Sequence, residues 1–195
     1  MRVAGVVLAA GASRRLGRPK QLVEVGGEAL VRRAARAVLE AGCAPVLVVT
    51  GAGAAAVETA LAGLAVACVR NDAFEEGLAS SIRAGVAAAA RSAPPCDGAL
   101  LALVDQPAVD AALLRRLLAE FERALGARAV ACAYAGGLGV PALFPRPLFP
   151  ELAALHGDGG AKPVLEARAG EVIAVPFPAG ALDLDTEEDL ARAER

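Results

Sequence analysis

An α/β architecture with a mostly parallel sheet, folded as a single domain over residues 1–195, is the fold class this sequence predicts. Three observations carry that expectation. Apolar runs of strand length alternate with helical patterns through the chain, the arrangement that builds βαβ units. A length of 195 residues fits one domain and leaves little room for a second independent core. With 56% hydrophobic and 22% charged residues there is ample apolar material to offset chain entropy, which excludes global disorder.

The elements follow in order. Residues 3–8 form an apolar run that reads as a buried strand, and residues 9–20 a long loop broken by Gly11, Ser13, Gly17 and Pro19. Then come a helix over 29–41, a strand over 45–50, a helix over 54–61, a strand over 66–70, a helix over 78–90 and a strand over 99–104. Beyond Asp105-Gln106-Pro107, Asp110 is placed to cap a helix running to about Leu125, because its carboxylate can accept from first-turn amides. Residues 129–134 read as another strand. Glycine and proline dominate 136–150, which predicts loops with one short strand over 142–144. A helix over 161–168, a strand over 172–175 and a closing helix from Thr186, with Thr186 as its cap, complete the chain.

Composition excludes several function classes. A formal charge of -2 lacks the basic excess that phosphate-backbone contacts need, so nucleic acid is not an expected partner. Aromatic residues make up 3%, with no Trp, so stacking platforms for single strands are scarce. The cysteines Cys43, Cys68, Cys96 and Cys132 lie far apart without a Cys-x-x-Cys pair and read as free, buried thiols in a reducing cytoplasm. Arg2 and the apolar run behind it imitate a secretory signal, but cleavage there would remove a strand and its glycine loop. Residues 52–69 are long and weakly polar, yet they are mostly Ala and Gly and carry Glu58, so no membrane span is expected.

Chemistry concentrates just beyond the strands. Leu8-Ala9-Ala10-Gly11-Ala12-Ser13-Arg14-Arg15-Leu16-Gly17-Arg18-Pro19-Lys20 leaves a buried strand through small residues, which let backbone N–H groups approach phosphate or base edges. Ser13 adds a hydroxyl donor, and Arg15 and Lys20 can offset triphosphate charge. Arginine outnumbers lysine 18 to 2, so Lys20 and Lys162 stand out as compact cations suited to phosphate. The spacing is not that of a P-loop. A second segment, residues 71–85, opens a helix with Gly77, Ser80 and Ser81 as donors at its N-terminus, a place that favours anions. A third is Asp105-Gln106-Pro107: a carboxylate at the end of a parallel strand sits where open α/β sheets bind ligands, and its oxygens suit Mg²⁺. Gly51-Ala52-Gly53-Ala54-Ala55-Ala56 fits the dinucleotide fingerprint, with Asp72 as a ribose acid, and alone would suggest NAD. It follows the second strand, however, whereas the fingerprint normally follows the first.

The first segment resembles the signature of nucleotidyltransferases related to molybdenum cofactor guanylyltransferase, L-A-(A/G)-G-x-S-x-R-M-G-x-x-K, with Leu16 replacing Met. The stretch from Asn71 to Gly85 resembles N-x-x-x-x-x-G-x-x-x-S-(I/L)-R-x-G of the molybdenum cofactor cytidylyltransferases, where it helps hold the cytidine. Gly139-Val140-Pro141-Ala142-Leu143-Phe144, Gly157-Asp158-Gly159-Gly160-Ala161-Lys162 and Asp183-Leu184-Asp185-Thr186 match further family stretches, although Leu138 and Val140 replace polar residues often seen beside Gly139. His156, the single histidine, lies outside the pattern and reads as a surface residue.

The resemblance implies a Rossmann-like nucleotidyltransferase that uses Mg²⁺ to move CMP from CTP onto the terminal phosphate of the molybdenum-molybdopterin cofactor, releasing pyrophosphate. Residues 1–107 would form roughly the nucleotide part and 108–185 the acceptor part. The implied nucleotide contacts are Leu8, Ala9, Ala10, Gly11, Ser13, Arg15, Lys20, Asn71, Gly77, Ser80 and Ser81. Arg15, Lys20 and Asp105 would be catalytic, and Gly139, Pro141, Asp158 and Lys162 would grip the acceptor. Asp105 would hold the metal, with Asp183 or Asp185 as a second ligand and Asp183 preferred. A recipient molybdoenzyme would be a transient partner. CTP is preferred over GTP because the guanylyltransferases read L-A-G-G, and the methyl of Ala10 would crowd a purine. Guanylyltransferase, methylerythritol phosphate cytidylyltransferase, sugar-phosphate nucleotidyltransferase, nicotinamide-binding protein and non-catalytic cofactor carrier remain the alternatives.

Overall fold

The computed structural model describes residues 1–11, 13, 16–184 and 188–189. Arg15, Asp185, Thr186 and the helix expected from Thr186 lie outside the described residues. In chain order the elements are β1 (Val3–Ala9), β2 (Glu24–Val25), β3 (Glu28–Ala29), α1 (Leu30–Glu40), β4 (Val46–Thr50), α2 (Ala54–Ala60), β5 (Ala67–Arg70), α3 (Leu78–Ala90), β6 (Gly98–Leu103), α4 (Ala111–Arg123), β7 (Val130–Tyr134), β8 (Gly137–Pro145), α5 (Phe149–Ala153), α6 (Lys162–Ala167) and β9 (Ile173–Pro176). Apart from the small β2–β3 hairpin, the strands form one seven-stranded sheet in the order β5-β4-β1-β6-β8-β7-β9. Strand β8 runs antiparallel to both its neighbours, and every other pairing in that sheet is parallel. The expected mostly parallel α/β fold is the observed one.

Why β1 is apolar at every position follows from its place at the sheet's centre with both faces covered. Its odd residues Val3 and Val7 face Val31, Ala35 and Val38 of α1 and belong to the same core as Leu114, Leu117 and Phe121 of α4. Its even residues Ala4, Val6 and Leu8 share the opposite core with Ala79, Ile82 and Val86 of α3, together with Leu152 of α5 and Val164 and Leu165 of α6. In α1 the apolar spacing 31, 35, 38 supplies one stripe while its arginines stay outside. Asp110 caps α4 as expected, its carboxylate accepting from the Leu113 amide at 2.8 Å.

Two expectations need correction. Residues 136–150 are not loops around a three-residue strand: β8 spans nine residues and lies between β6 and β7, with α5 after it. Its glycines and prolines are tolerated because the ladder is irregular where they fall. The register with β7 shifts between Ala131 and Cys132, leaving Val140 and Pro141 without paired partners, so the missing Pro141 N–H breaks no rung. The second correction is Cys68, which is exposed because β5 is an edge strand, whereas Cys43, Cys96 and Cys132 are buried.

Burial pushes the Cys43 and Cys132 thiols up to about 12. Partial desolvation, and then the nearby Glu58 charge, hold the Cys68 thiol above its ordinary range as well. A disulfide reagent should therefore modify one thiol per native chain, Cys68, at a rate that climbs as pH rises toward its pKa. All four should react after unfolding. Four fast thiols in the native chain would contradict this burial pattern.

Candidate active site

A cleft of about 440 Å³ opens at the carboxyl ends of β1 and β6. Strand β1 pairs with β4 on one side and β6 on the other, so the chain order reverses there, and a crevice is left where such sheets take ligands. One wall is the loop after β1, with Leu8, Ala9, Ala10, Gly11, Ser13 and Leu16. Lys20 and Gln21 follow it, and Asp105 closes the β6 side. The other wall is the entry to α3, with Phe74, Glu75, Gly77, Leu78 and Ser81, and Asp158 stands beside it.

The cleft has a charged floor. Lys20 Nζ lies 3.0 Å from Asp105 Oδ2, with the two side chains 12% and 22% exposed. Asp105 Oδ1 is buried and has no hydrogen-bond partner among the described residues. A partnerless carboxylate oxygen beside an ammonium is costly in a shielded site, and a hard cation would satisfy it. The backbone next to Asp183 runs beside Asp105, because the amide of Leu184 donates to the Asp105 carbonyl at 2.9 Å, although Asp183 itself is not among the cleft-lining residues. Oxygen donors of this kind fit a divalent ion, with other positions left to water or phosphate. Among the described residues, no group of three or more His, Cys, Asp or Glu gathers to hold a metal.

The loop after β1 is held in shape by two polar residues. Gln21, only 2% exposed, donates through Nε2 to the carbonyls of Ala9 and Gly11. The Ser13 hydroxyl accepts from the Lys20 amide at 2.9 Å, and Ser13 adopts φ 51, a left-handed conformation unusual outside glycine. Ser13 therefore sets the turn that returns Lys20 to the floor. Gln21 also lines the cleft, and no motif assigns it a role. Its position directly after Pro19-Lys20 was the available signal, since a polar side chain there can tie the loop from below.

On the α3 side the expected residues divide. Gly77 and Ser81 line the cleft. Asn71 and Ser80 sit behind the wall: Asn71 Nδ2 donates to the hydroxyls of Ser80 and Ser81 at 2.8 and 3.1 Å, and Ser80 donates to the Gly77 carbonyl at 2.8 Å. They fix the entry of α3 rather than face a ligand. Gly77 is required twice over, by φ 102 and because a Cβ there would drive into Asp158 and the Gly157 carbonyl.

The implied acceptor residues are not brought together. Asp158 joins the α3 wall of the cleft, whereas Gly139 packs under Tyr134 and Pro141 is buried. Lys162 is exposed and pairs with Glu166 at 3.6 Å. His156 is exposed, as expected of a surface residue. The Gly51 loop lies outside the cleft, behind Ala10 and Phe74 of its walls. The Ala52 amide donates to the Ala10 carbonyl at 3.2 Å, and a Cβ on Gly51 would lie 2.8 Å from Phe74 Cβ and 2.9 Å from that of Ala10. Gly51 and Ala52 are thus packing partners of the first motif, not a phosphate cradle.

A family model described as the MobA-like NTP transferase domain matches residues 5–172. The chain belongs to that family. Among solved structures, Rv0371c from Mycobacterium tuberculosis superposes with a TM-score of 0.82 at 34% identity, covering 100% of this chain and 98% of that one. A further structure of Rv0371c is a complex with manganese and superposes with a TM-score of 0.75 at the same 34% identity, covering 99% of this chain and 97% of that one. Of the curated relatives, a nicotine blue oxidoreductase of Paenarthrobacter nicotinovorans is 45% identical over 118 residues, 60% of this chain and 55% of the relative. A probable molybdenum cofactor guanylyltransferase of Opitutus terrae is 36% identical over 110 residues, 56% of this chain and 51% of the relative. The matches thus span about half the length of these curated relatives. The family is one of nucleotidyltransferases, and the cleft lies at the carboxyl ends of parallel strands, where ligands enter open α/β sheets. No helix among the described residues is long and apolar enough to cross a membrane.

Proposed function

We propose that this member of the MobA-like NTP transferase family moves CMP from CTP to the terminal phosphate of a molybdopterin-type cofactor. An oxygen of that phosphate attacks the α-phosphorus in line, the bond to the bridging oxygen of the β-phosphate breaks, and pyrophosphate leaves with the electron pair. The observation that carries the reading is the Lys20–Asp105 pair at the cleft floor, with one Asp105 oxygen still partnerless. Such a transfer needs positioned charge and no covalent nucleophile.

Amides of the Leu8–Gly11 stretch and the Ser13 turn hold the nucleotide against β1, and Lys20 neutralises triphosphate charge. Glu75 and Asp158 make the α3 wall acidic, so the phosphates lie at the Lys20 end and the nucleoside at the α3 end. Arg15 is proposed as a second phosphate cation. Asp105 and Asp183 would hold Mg²⁺, and when bound the ion supplies charge neutralisation on phosphate oxygens. The manganese complex of the relative agrees with a divalent site in this fold. Of the acceptor contacts that the resemblance implies, Asp158 lines the cleft, while Lys162, Gly139 and Pro141 lie apart from it and stay acceptor contacts by the resemblance alone; a recipient molybdoenzyme is the proposed partner.

Pyrophosphate release measured with each of four nucleoside triphosphates, with and without molybdenum cofactor, tests the proposal. Release confined to CTP plus cofactor supports it; release with another base or without the cofactor assigns a different transferase. The oxidoreductase name of the 45% identical relative favours a second reading, a nicotinamide-dependent reductase using the same cleft. Saturable NADH or NADPH binding with no pyrophosphate release from any triphosphate would select it.

Base choice gives a sharper expectation. Ala10 lines the cleft, yet it is 2% exposed and packs toward Gly51 beside Phe74, so its methyl props the wall rather than touching the base broadly. Ala10→Gly lets that wall relax and should shift the CTP:GTP ratio of kcat/KM about tenfold toward GTP, the scale of one methyl-sized pocket change. An unchanged ratio removes Ala10 from base selection.

A further inference from the structure

Tyr134 closes β7 and belongs to no motif in the sequence, yet it touches two of them in the fold. A Cβ on Gly180 would lie 2.7 Å from the ring Cδ1, and one on Gly139 would lie 2.7 Å from Cζ, so two glycines leave room for one ring. The hydroxyl donates to the Val140 carbonyl at 2.9 Å and accepts from Gln106 Nε2 at 3.4 Å. Gln106, 5% exposed, also donates to the Gly180 carbonyl at 3.2 Å. Three residues further on, Asp183 precedes Leu184, whose amide is bound to the Asp105 carbonyl. Asp105-Gln106 and the stretch from Gly180 to Leu184 are therefore clasped at both ends, with Tyr134 as the brace.

We propose that Tyr134 is a positioning residue for the cation site: by bracing Gln106 against Gly180 it fixes Asp105 relative to Asp183, and through Val140 it ties that pair to the Gly139–Pro141 segment. The inference rests on the proposed function in taking Asp105 and Asp183 as the cation-holding carboxylates. Burial raises the Tyr134 phenol's pKa; the Gln106 hydrogen bond opposes this, while Asp183, Cys132 and Asp105 add to the rise. The phenol consequently keeps its proton near neutral pH, and with it the bond to Val140.

Two variants of the full chain separate brace from ring. Tyr134→Phe keeps the ring and removes the hydroxyl, while Gly180→Ala keeps the hydroxyl and displaces the rings of both Phe177 and Tyr134. Mn²⁺ alone is titrated into each and into wild type, with free ion read by electron paramagnetic resonance. Both variants should bind Mn²⁺ about two- to tenfold more weakly, the scale of one lost intramolecular hydrogen bond. The Mg²⁺ needed for half-maximal turnover should rise with it while KM for CTP stays put. Because the chain has one Tyr and no Trp, its ultraviolet emission comes from Tyr134 alone and should change when Mg²⁺ is added to wild type. A Tyr134 that only fills space would lower the melting temperature and leave Mn²⁺ affinity as it was. Unchanged Mn²⁺ affinity in Tyr134→Phe, beside a wild type that binds, overturns the inference and leaves the proposed function standing. A wild type that binds no Mn²⁺ overturns the carboxylate pair and the inference together. If Gly180→Ala does not fold, Tyr134→Phe decides alone.

Discussion

Asp105→Ala should reduce nucleotidyl transfer by at least about 10³-fold, because it removes the carboxylate through which charge on the reacting phosphates is to be managed. The carboxylate stands two residues past the end of β6, at the switch point of the sheet, with Oδ2 on Lys20 and Oδ1 partnerless among the described residues. The fold should survive. β6 is anchored by six parallel rungs to β1 and four antiparallel rungs to β8, none of which involves Asp105. Stability is expected to fall nonetheless, since the largely buried Lys20 ammonium loses this carboxylate. A cost of about 1–3 kcal/mol for a buried group losing its partner corresponds to roughly 2–12 °C in a chain of this size. Circular dichroism and pyrophosphate release over a range of Mg²⁺ concentrations check both halves. Wild-type turnover in a folded Asp105→Ala chain would remove Asp105 from the reaction.

The α/β order was readable because β1, β4 and β6 are short apolar runs buried on both faces, and α1 and α4 each carry one apolar stripe. Strand β8 was not, because its length depends on lying between β6 and β7, and a local pattern rich in glycine and proline carries no record of its neighbours. The same limit hid Cys68, whose apolar surroundings look like those of a central strand until β5 is found at the edge. In the site, residues on contiguous loops were legible: Leu8 to Gly11, Ser13, Lys20, Gly77, Ser81 and Asp105 meet in one cleft. What escaped are partnerships across the chain. Asn71 and Ser80 have the polarity of binding residues but are consumed by each other and by the α3 entry. Asp158 reaches the α3 wall of the cleft because Gly77 leaves space for it, and the Gly157 carbonyl accepts from the Ala79 amide at 3.0 Å. Tyr134 carries no motif, and only the glycines around its ring mark it.

Lys20→Ala should lower kcat about 10²- to 10³-fold, the usual cost of about 2.7–4 kcal/mol for losing one preorganised charged contact, with a smaller rise in KM. The reason lies in its two neighbours. The ammonium sits on Asp105 Oδ2, held by the turn in which Ser13 accepts from the Lys20 amide. When triphosphate enters, the same ammonium is within the cleft where charge develops on departing pyrophosphate, so its interaction grows along the reaction and appears in kcat. Lys20→Arg should recover only part of the loss, because a planar fork does not fill the place of a compact ammonium beside a largely buried carboxylate. Removing Lys20 also withdraws a cation from Asp105, so Mn²⁺ binding in the absence of nucleotide should tighten while turnover falls. Those opposite signs distinguish Lys20 from a general support of the cleft, whose loss would weaken both. Steady-state kinetics at saturating Mg²⁺, paired with a Mn²⁺ titration, decide the matter. A defect confined to KM would make Lys20 a binding residue alone, and a change below about twofold in either parameter would leave it a solvated loop lysine.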